Sequence, residues 1–350
     1  MTISDVAREA GVAPMTVSRA LNGHPSVKPS TMLKVRGAAD RLSYQPNHAA
    51  RILMGQRSNS IALVLPELKN PFFAVVADGV QSAARERGAL VWVVSSNNDV
   101  RIEQNEIEKL LSYKVDGILL ISSDPAHRYL KNLLAGEMPV VAVDLPIESG
   151  HTDSVLVENR QGSQRAVEHL IGHGYKEILC VGAWFGLFTI RERIRGYESA
   201  MVDAGLAPKE VMDAWDQTAT RRAIERLLRT NGTRGAIFSL NQVTTEIVLK
   251  LLDDMKVSVP DQVALIGFDD FAFASLLKPR LTVVRQPAGE LGRCAARTLF
   301  ERLDSKEDTL KRSTLLPTEL IIRESCGCKG EAVEAGGERV GTVPARISKS

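Results

Sequence analysis

Five short stretches of the chain gather side chains able to hold a small polar molecule: LPELKNPFF (65–73), SSD (122–124), VDLP (143–146), SLNQ (239–242) and GFDD (267–270). Their carboxylates, amides and hydroxyls can exchange hydrogen bonds with a ligand's polar groups. Each follows an apolar run, so a shared cleft could collect them, although each also reads as an ordinary solvated loop. A second group lies near the N-terminus. In AGVAPMTVSRALNG (10–23), helical spacing puts Ala13, Val17, Ala20 and Leu21 on one face and Met15, Arg19 and Asn22 on the other. Motifs for catalysis are absent from the sequence: there is no Walker loop, G-x-S-x-G elbow, H-E-x-x-H or dinucleotide fingerprint. Neither an enzyme nor a cofactor is therefore expected. His169 and His173 have the spacing of helical metal ligands, and the CGC of Cys326 and Cys328 could supply part of a metal site. The remaining ligands are not evident, so free thiols and no metal are expected.

The N-terminal group needs short helices to position it. Thr2 is a candidate N-cap with acidic Asp5 three residues on, and Ile3, Val6, Ala7 and Ala10 share a face. Gly11 can end that helix in the left-handed conformation, and Pro14 suits the first helical position, where no N–H is needed. A third stripe follows at Met32, Val35, Ala39 and Leu42. This is a helix-turn-helix pattern. Residues 1–57 carry eight Lys/Arg against three acids, so this segment is +5 and the remainder −3, within a chain of net charge +2. Such concentration suits a module that neutralises phosphates rather than a helical subdomain without a partner.

The polar strand ends need parallel sheets. Apolar runs IALVLP, LVWVVS, GILLIS, VVAVD, SVLVE, EILCVG, GAIFSL and VALIGFDD alternate with helical patterns such as FFAVVADGVQSAARERG, QNEIEKLLSY, GSQRAVEHLIGHG and TEIVLKLLDDM. Eight such strands fit one barrel or two doubly wound subdomains, and two subdomains are the preferred reading. The 350 residues, 44% hydrophobic and 25% charged, allow two or three globular domains. No apolar run reaches membrane-spanning length and no secretory leader opens the chain, so a cytoplasmic protein without membrane association is expected.

In order along roughly residues 1–325, TISDVAREAGVAPMTVSRALNG, LSYQPNHAARIL, IALVLPELKNPFF, VDGILL, RERIRGY, VPDQVALIGFDD and LTVVRQPAGELG resemble the signatures of the LacI/GalR family of bacterial transcription regulators. The resemblance implies an N-terminal all-α helix-turn-helix headpiece (1–45) and a hinge (46–58) that becomes helical on operator DNA. It further implies an α/β core (59–325) of two doubly wound parallel-sheet subdomains, periplasmic binding protein-like. Of these, the N-subdomain takes in 59–158 with 287–316, and the C-subdomain 159–286 with 317–325. Residues 326–350, Gly-rich and without heptads, are expected to be a disordered tail, leaving a homodimer rather than a coiled-coil tetramer. The implied function is repression by a dimer on double-stranded, pseudo-palindromic operator DNA, under a small-molecule effector that is a sugar or sugar derivative. A nucleoid-associated location when bound follows. A ligand-independent architectural DNA binder, an activator and a corepressor-dependent regulator are the alternatives.

The same resemblance assigns residues. Pro14, Met15 and Arg19 match base-reading positions: Arg19 can fork onto a guanine edge, whereas Pro14 and Met15 offer apolar contact. Thr16, Ser18, Asn22, Tyr44 and Asn47 suit phosphates and register. Ala13 replaces the usual serine and so removes a cap worth about 1 kcal/mol. Leu53 matches the residue that wedges into the minor groove, with a short helix packed on the core as the other reading. Phe72 and Phe73 match positions that stack on the effector, or else are core. Asp144, Arg193, Asn241, Asp269 and Gln286 match its polar contacts, Arg193 being chosen over Arg191 and Arg195 by its distance from Gly196. Trp215 falls near an aromatic that lines the pocket, or is core. Asn241-Gln242 stands where Asn-Asp is frequent, and without that carboxylate no specific sugar follows.

Overall fold

A computed structural model describes residues 1–21, 23–44, 57–123, 130, 138–147, 152–184, 186–229, 234–305 and 311–328. Asn22, Asn47, Leu53, most of the expected hinge and the tail beyond residue 328 lie outside the described residues. The chain divides into two compact units, Met1–Ser60 with Tyr113–Asp116, and Ile61–Ser112 with Gly117 onward.

The first unit holds helices α1 (Ile3–Ala10), α2 (Pro14–Leu21) and α3 (Pro29–Arg41). Thr2 and Asp5 form a reciprocal capping box at the start of α1, and Gly11 ends it with φ 65°. Pro14 opens α2, as its fixed φ predicts. Ala13 has no side-chain acceptor, so only its carbonyl meets the Thr16 and Val17 amides, at 2.9 and 3.2 Å. Val6, Ala7, Val17, Ala20, Val35, Ala38 and Ala39 make the core, with Leu42 and Tyr44 packed against it. These small side chains let three short helices pack closely, and the burial of their shared face supplies stability that helices of eight residues lack alone.

The second unit contains two six-stranded sheets, the first of which holds β1 (Ser60–Leu65), whose Ser60 alone falls in the first unit. That sheet also comprises β2 (Leu90–Ser95), β3 (Gly117–Leu120), β4 (Val140–Val143), β5 (Asp153–Val157) and β11 (Ser313–Leu316), in the order β11-β5-β4-β3-β1-β2. The other comprises β6 (Glu177–Val181), β7 (Lys209–Val211), β8 (Gly235–Ser239), β9 (Val263–Phe268), β10 (Thr282–Arg285) and β12 (Glu319–Ile321), in the order β12-β10-β9-β8-β6-β7. Apart from the antiparallel β10–β12 pair, the registered pairings are parallel. Both are doubly wound sheets of the same strand order. The eight apolar runs read from sequence are all strands. Central β1 and β9 are buried along their whole length, as strands covered by helices on both faces must be.

Helices α4 (Pro71–Glu86), α5 (Val100–Ser112) and α10 (Ala288–Asp304) accompany the first sheet, and α6 (Asn159–Gly172), α7 (Phe188–Asp203), α8 (Gln217–Leu228) and α9 (Gln242–Asp254) the second. Val76, Val80, Leu291, Ala295 and Leu299 join the first sheet's core; Val167, Leu170, Ile194 and Tyr197 join the second's. The chain passes between the sheets three times, after β5, after β10 and after β11. Among the described residues no helix is long and apolar enough to cross a membrane.

Candidate functional site

The outer face of α2 presents Pro14, Met15 (64% exposed) and Arg19 to solvent, with Thr16 and Ser18 half-buried beside them. Burial of Val17 and Ala20 on the opposite side turns this face outward. Tyr44 is half-buried, its ring against the headpiece core, which leaves only part of the side chain for a contact outside.

The strand ends converge on a cavity of about 370 Å³, a size suited to one small ligand. Phe72, Phe73, Asp144, Arg193, Asn241, Asp269 and Gln286 all line it. Asp144 and Asp269 hold equivalent places in the two sheets. Each follows the fourth strand of its sheet, each is left-handed (φ 63° and 82°), and each donates its N–H to the fifth strand, to Val155 and Val284, both at 2.9 Å. Aspartate visits this region more readily than most residues, and the turn points both carboxylates into the cavity.

Arg193 is 4% exposed. Its Nε donates to Asn159 Oδ1 and its Nη1 to the Leu240 carbonyl, both at 2.7 Å, and the guanidinium lies 3.7 Å from the Phe268 ring centre. Gly196 makes this placement possible. A Cβ there would stand 2.1 Å from the Arg160 carbonyl oxygen, so only glycine lets α7 approach α6 closely enough for Arg193 to reach Asn159. Burial pulls the guanidinium pKa down, against the opposing pull of Asp269 and Asp144. Burial also raises the Asp144 carboxyl to about 6, with Arg193 lowering it and Asp269 raising it further.

Asp269 is fixed by the Gln242 amide at 3.1 Å and by the Gln286 side chain at 2.5 Å. Asn241 caps α9, its Oδ1 accepting from Thr244 N at 2.9 Å, which leaves its NH2 to face a ligand. Buried Glu103 accepts from Ser122 Oγ and Ser123 N at 2.9 and 2.5 Å, holding the loop after β3 on the opposite wall. Asp144 Oδ1 and Gln286 Oε1 are buried without a hydrogen-bond partner among the described residues. Such acceptors are costly unless a donor meets them.

One assignment needs correction. Trp215 is 54% exposed and does not line the cavity; its ring packs edge-on against Trp184, 5.2 Å away, and it is Trp184 that forms the wall. Trp184 has φ 57°, unusual for a bulky side chain, and follows β6 at the end of a strand that the apolar pattern reveals. Asn70, Asn98, Ser122, Ser123 and Thr189 also line the cavity without having been singled out. All but Asn98 and Thr189 fall in the quoted strand-end stretches or directly beside them.

Residues 2–47 match the model of bacterial regulatory proteins of the lacI family, and residues 167–326 that of a periplasmic binding protein-like domain. The HTH-type transcriptional repressor PurR of Photobacterium profundum is 31% identical over 329 residues, 93% of this chain and 98% of that protein. A solved complex of the transcriptional regulator CelR with cellobiose shares 28% identity with a TM-score of 0.66, covering 93% of this chain and 99% of that one. The lac repressor dimer bound to operator and the anti-inducer ONPF has the same fold, with a TM-score of 0.80 at 23% identity over 93% of this chain and 99% of that one. With a DNA-binding headpiece, two doubly wound sheets around a ligand-sized cavity and relatives along nearly its whole length, the chain belongs to the LacI family of bacterial transcription regulators and is not an enzyme.

Proposed function

We propose that this regulator is a cytoplasmic repressor that binds a pseudo-palindromic operator as a homodimer and releases it under control of a neutral sugar or sugar derivative. The pair of unpartnered buried acceptors, Asp144 Oδ1 and Gln286 Oε1, carries the effector reading. A polyhydroxylated ring brings hydroxyl donors to both. Its apolar face suits Phe72 and Trp184, and its oxygens suit Asn241 and the Arg193 guanidinium. Charge narrows the class: among the described residues Glu67, Asp144 and Asp269 line the wall against one lining cation, Arg193, which opposes phosphorylated or carboxylated compounds. The cellobiose complex of a relative supports the same class.

On DNA, Arg19 reads a guanine edge, Pro14 and Met15 add apolar contact, Thr16, Ser18, Asn22, Tyr44 and Asn47 set register, and Leu53 enters the minor groove. Residues 1–45 form the headpiece and 46–58 the hinge, with the core subdomains divided near residues 158, 286 and 316. Ligand closure of the two sheets on the cavity changes headpiece spacing. The test begins with selection of bound fragments from random DNA by the purified protein at moderate salt, expected to yield a symmetric site. Calorimetric titration then compares neutral saccharides with sugar phosphates and purines. Binding of a neutral saccharide that weakens operator affinity supports the reading. Binding of only charged compounds, or enrichment of only asymmetric fragments, refutes it.

A further inference from the structure

His169 and His173 stand one turn apart at the C-terminal end of α6, and Cys326 and Cys328 lie in the segment that follows β12. In sequence the two pairs are unrelated; in the fold they meet. His169 Nε2 is 3.4 Å from Cys326 Sγ and 3.6 Å from Cys328 Sγ, and Cys328 Sγ is 3.1 Å from His173 Nε2. The ligand atoms of His169, Cys326 and Cys328 all lie within 4.8 Å of one another. The two imidazole rings are 4.7 Å apart between centres.

The two sulfur–nitrogen separations at His169 match a metal shell, and the one at His173 is shorter, within reach of the same shell. Zinc bonds of about 2.3 Å to sulfur and about 2.0–2.1 Å to nitrogen, at tetrahedral angles, put sulfur and nitrogen about 3.6 Å apart. Two sulfurs and one imidazole nitrogen are the mutual cluster, with no carboxylate to favour a hard cation, and His173, beside Cys328, completes the donor set that such thiophilic ions select. The backbone supports the arrangement. Gly327 has φ 94°, so the chain reverses between the cysteines, and a Cβ there would come within 2.9 Å of Tyr175 Oη. Cys326 is buried and accepts from Thr282 Oγ1 at 3.2 Å, which anchors one sulfur on the sheet. His173 is exposed, giving an ion a route of entry.

We propose that His169, His173, Cys326 and Cys328 form a binding site for a zinc-like divalent metal ion, separate from the effector cavity, that fastens the segment after β12 to α6. The test uses the full chain, reduced with a phosphine, loaded with Zn²⁺ or Co²⁺ and then desalted. About one metal ion per chain should be retained, and the cobalt form should show thiolate-to-metal charge-transfer bands in the near ultraviolet. Cys328→Ser and His173→Gln should each weaken metal affinity more than tenfold, whereas Cys294→Ser should not. Because His173 is exposed, His173→Gln should melt like the parent when both are metal-free, which separates a lost ligand from a lost fold. Retention below about a tenth of an ion per chain, a cobalt spectrum without thiolate bands, or unchanged affinity in Cys328→Ser would overturn the proposal. So would a Cys326–Cys328 disulfide that persists in reductant.

Discussion

Replacing Asp144 by Asn measures what the cavity costs the folded protein. The carboxyl stands at about 6 instead of 3.8 because burial penalises its charge more than nearby Arg193 repays, while Asp269 adds repulsion. Holding the carboxyl at about 6 instead of 3.8 corresponds to about 3 kcal/mol. The sign follows from proton counting: between about pH 4 and 6 the folded state keeps a proton that the unfolded chain has released, so stability falls as pH rises through this window. Above it, Asp144 contributes a constant penalty. Asparagine has nearly the same shape, tolerates the left-handed backbone and never ionises. Asp144→Asn should therefore match the parent near pH 4 and exceed it by up to about 3 kcal/mol at pH 8. Paired urea unfolding curves from pH 4 to 8 provide the assay. Asp153 and Asp270, whose carboxyls are held low by Arg302 and Arg323 against the cost of burial, lose stabilisation in acid, but they do so in both proteins. The difference between the curves thus isolates Asp144. A gap that does not change with pH, or a variant less stable at pH 8, would refute the reasoning.

Arg19→Ala should weaken operator binding by about 1–3 kcal/mol, with specificity relaxed at one base pair in each half-site and little change on random DNA, measured by fluorescence anisotropy. An equal loss on every sequence would instead make Arg19 a phosphate contact. Gly196→Ala places a methyl 2.1 Å from the Arg160 carbonyl oxygen, so α6 and α7 must part. A stability loss of about 1–3 kcal/mol is expected, together with at least tenfold weaker effector binding through the displaced Arg193. An unchanged melting temperature would contradict the close packing.

The central strands were legible because burial on both faces writes an uninterrupted apolar run, as in β1 and β9. Strands β7, β10, β11 and β12 were not singled out. They have three or four residues each, and β7, β11 and β12 sit at sheet edges, where a fully apolar run is not required. The headpiece was legible through local chemistry: Thr2, Asp5, Gly11 and Pro14 each act within a few residues of themselves. The carboxylates and amides of the cavity were found because strand ends in doubly wound sheets share one side. Trp215 was assigned by its place in the chain, and nothing in the sequence shows that its ring stands behind that of Trp184. The histidine pair and the cysteine pair were each visible in the sequence but their meeting was not, because 157 residues separate His169 from Cys326 and the return of the chain along β12 joins them.

The three passages between the sheets also set the order in which the polypeptide can mature on the ribosome. At β5 the nascent first sheet still lacks its edge strand β11, and five of the six strands of the second sheet must be translated before that strand emerges. At about 5–20 residues per second this is a wait of roughly ten to thirty seconds. Throughout it, β5 presents an unpaired edge of the kind that recruits other strands. The second sheet in turn waits for β12, a few residues later still. Neither half can be completed by a chain cut after α10, so this core matures as one object at the end of its own synthesis.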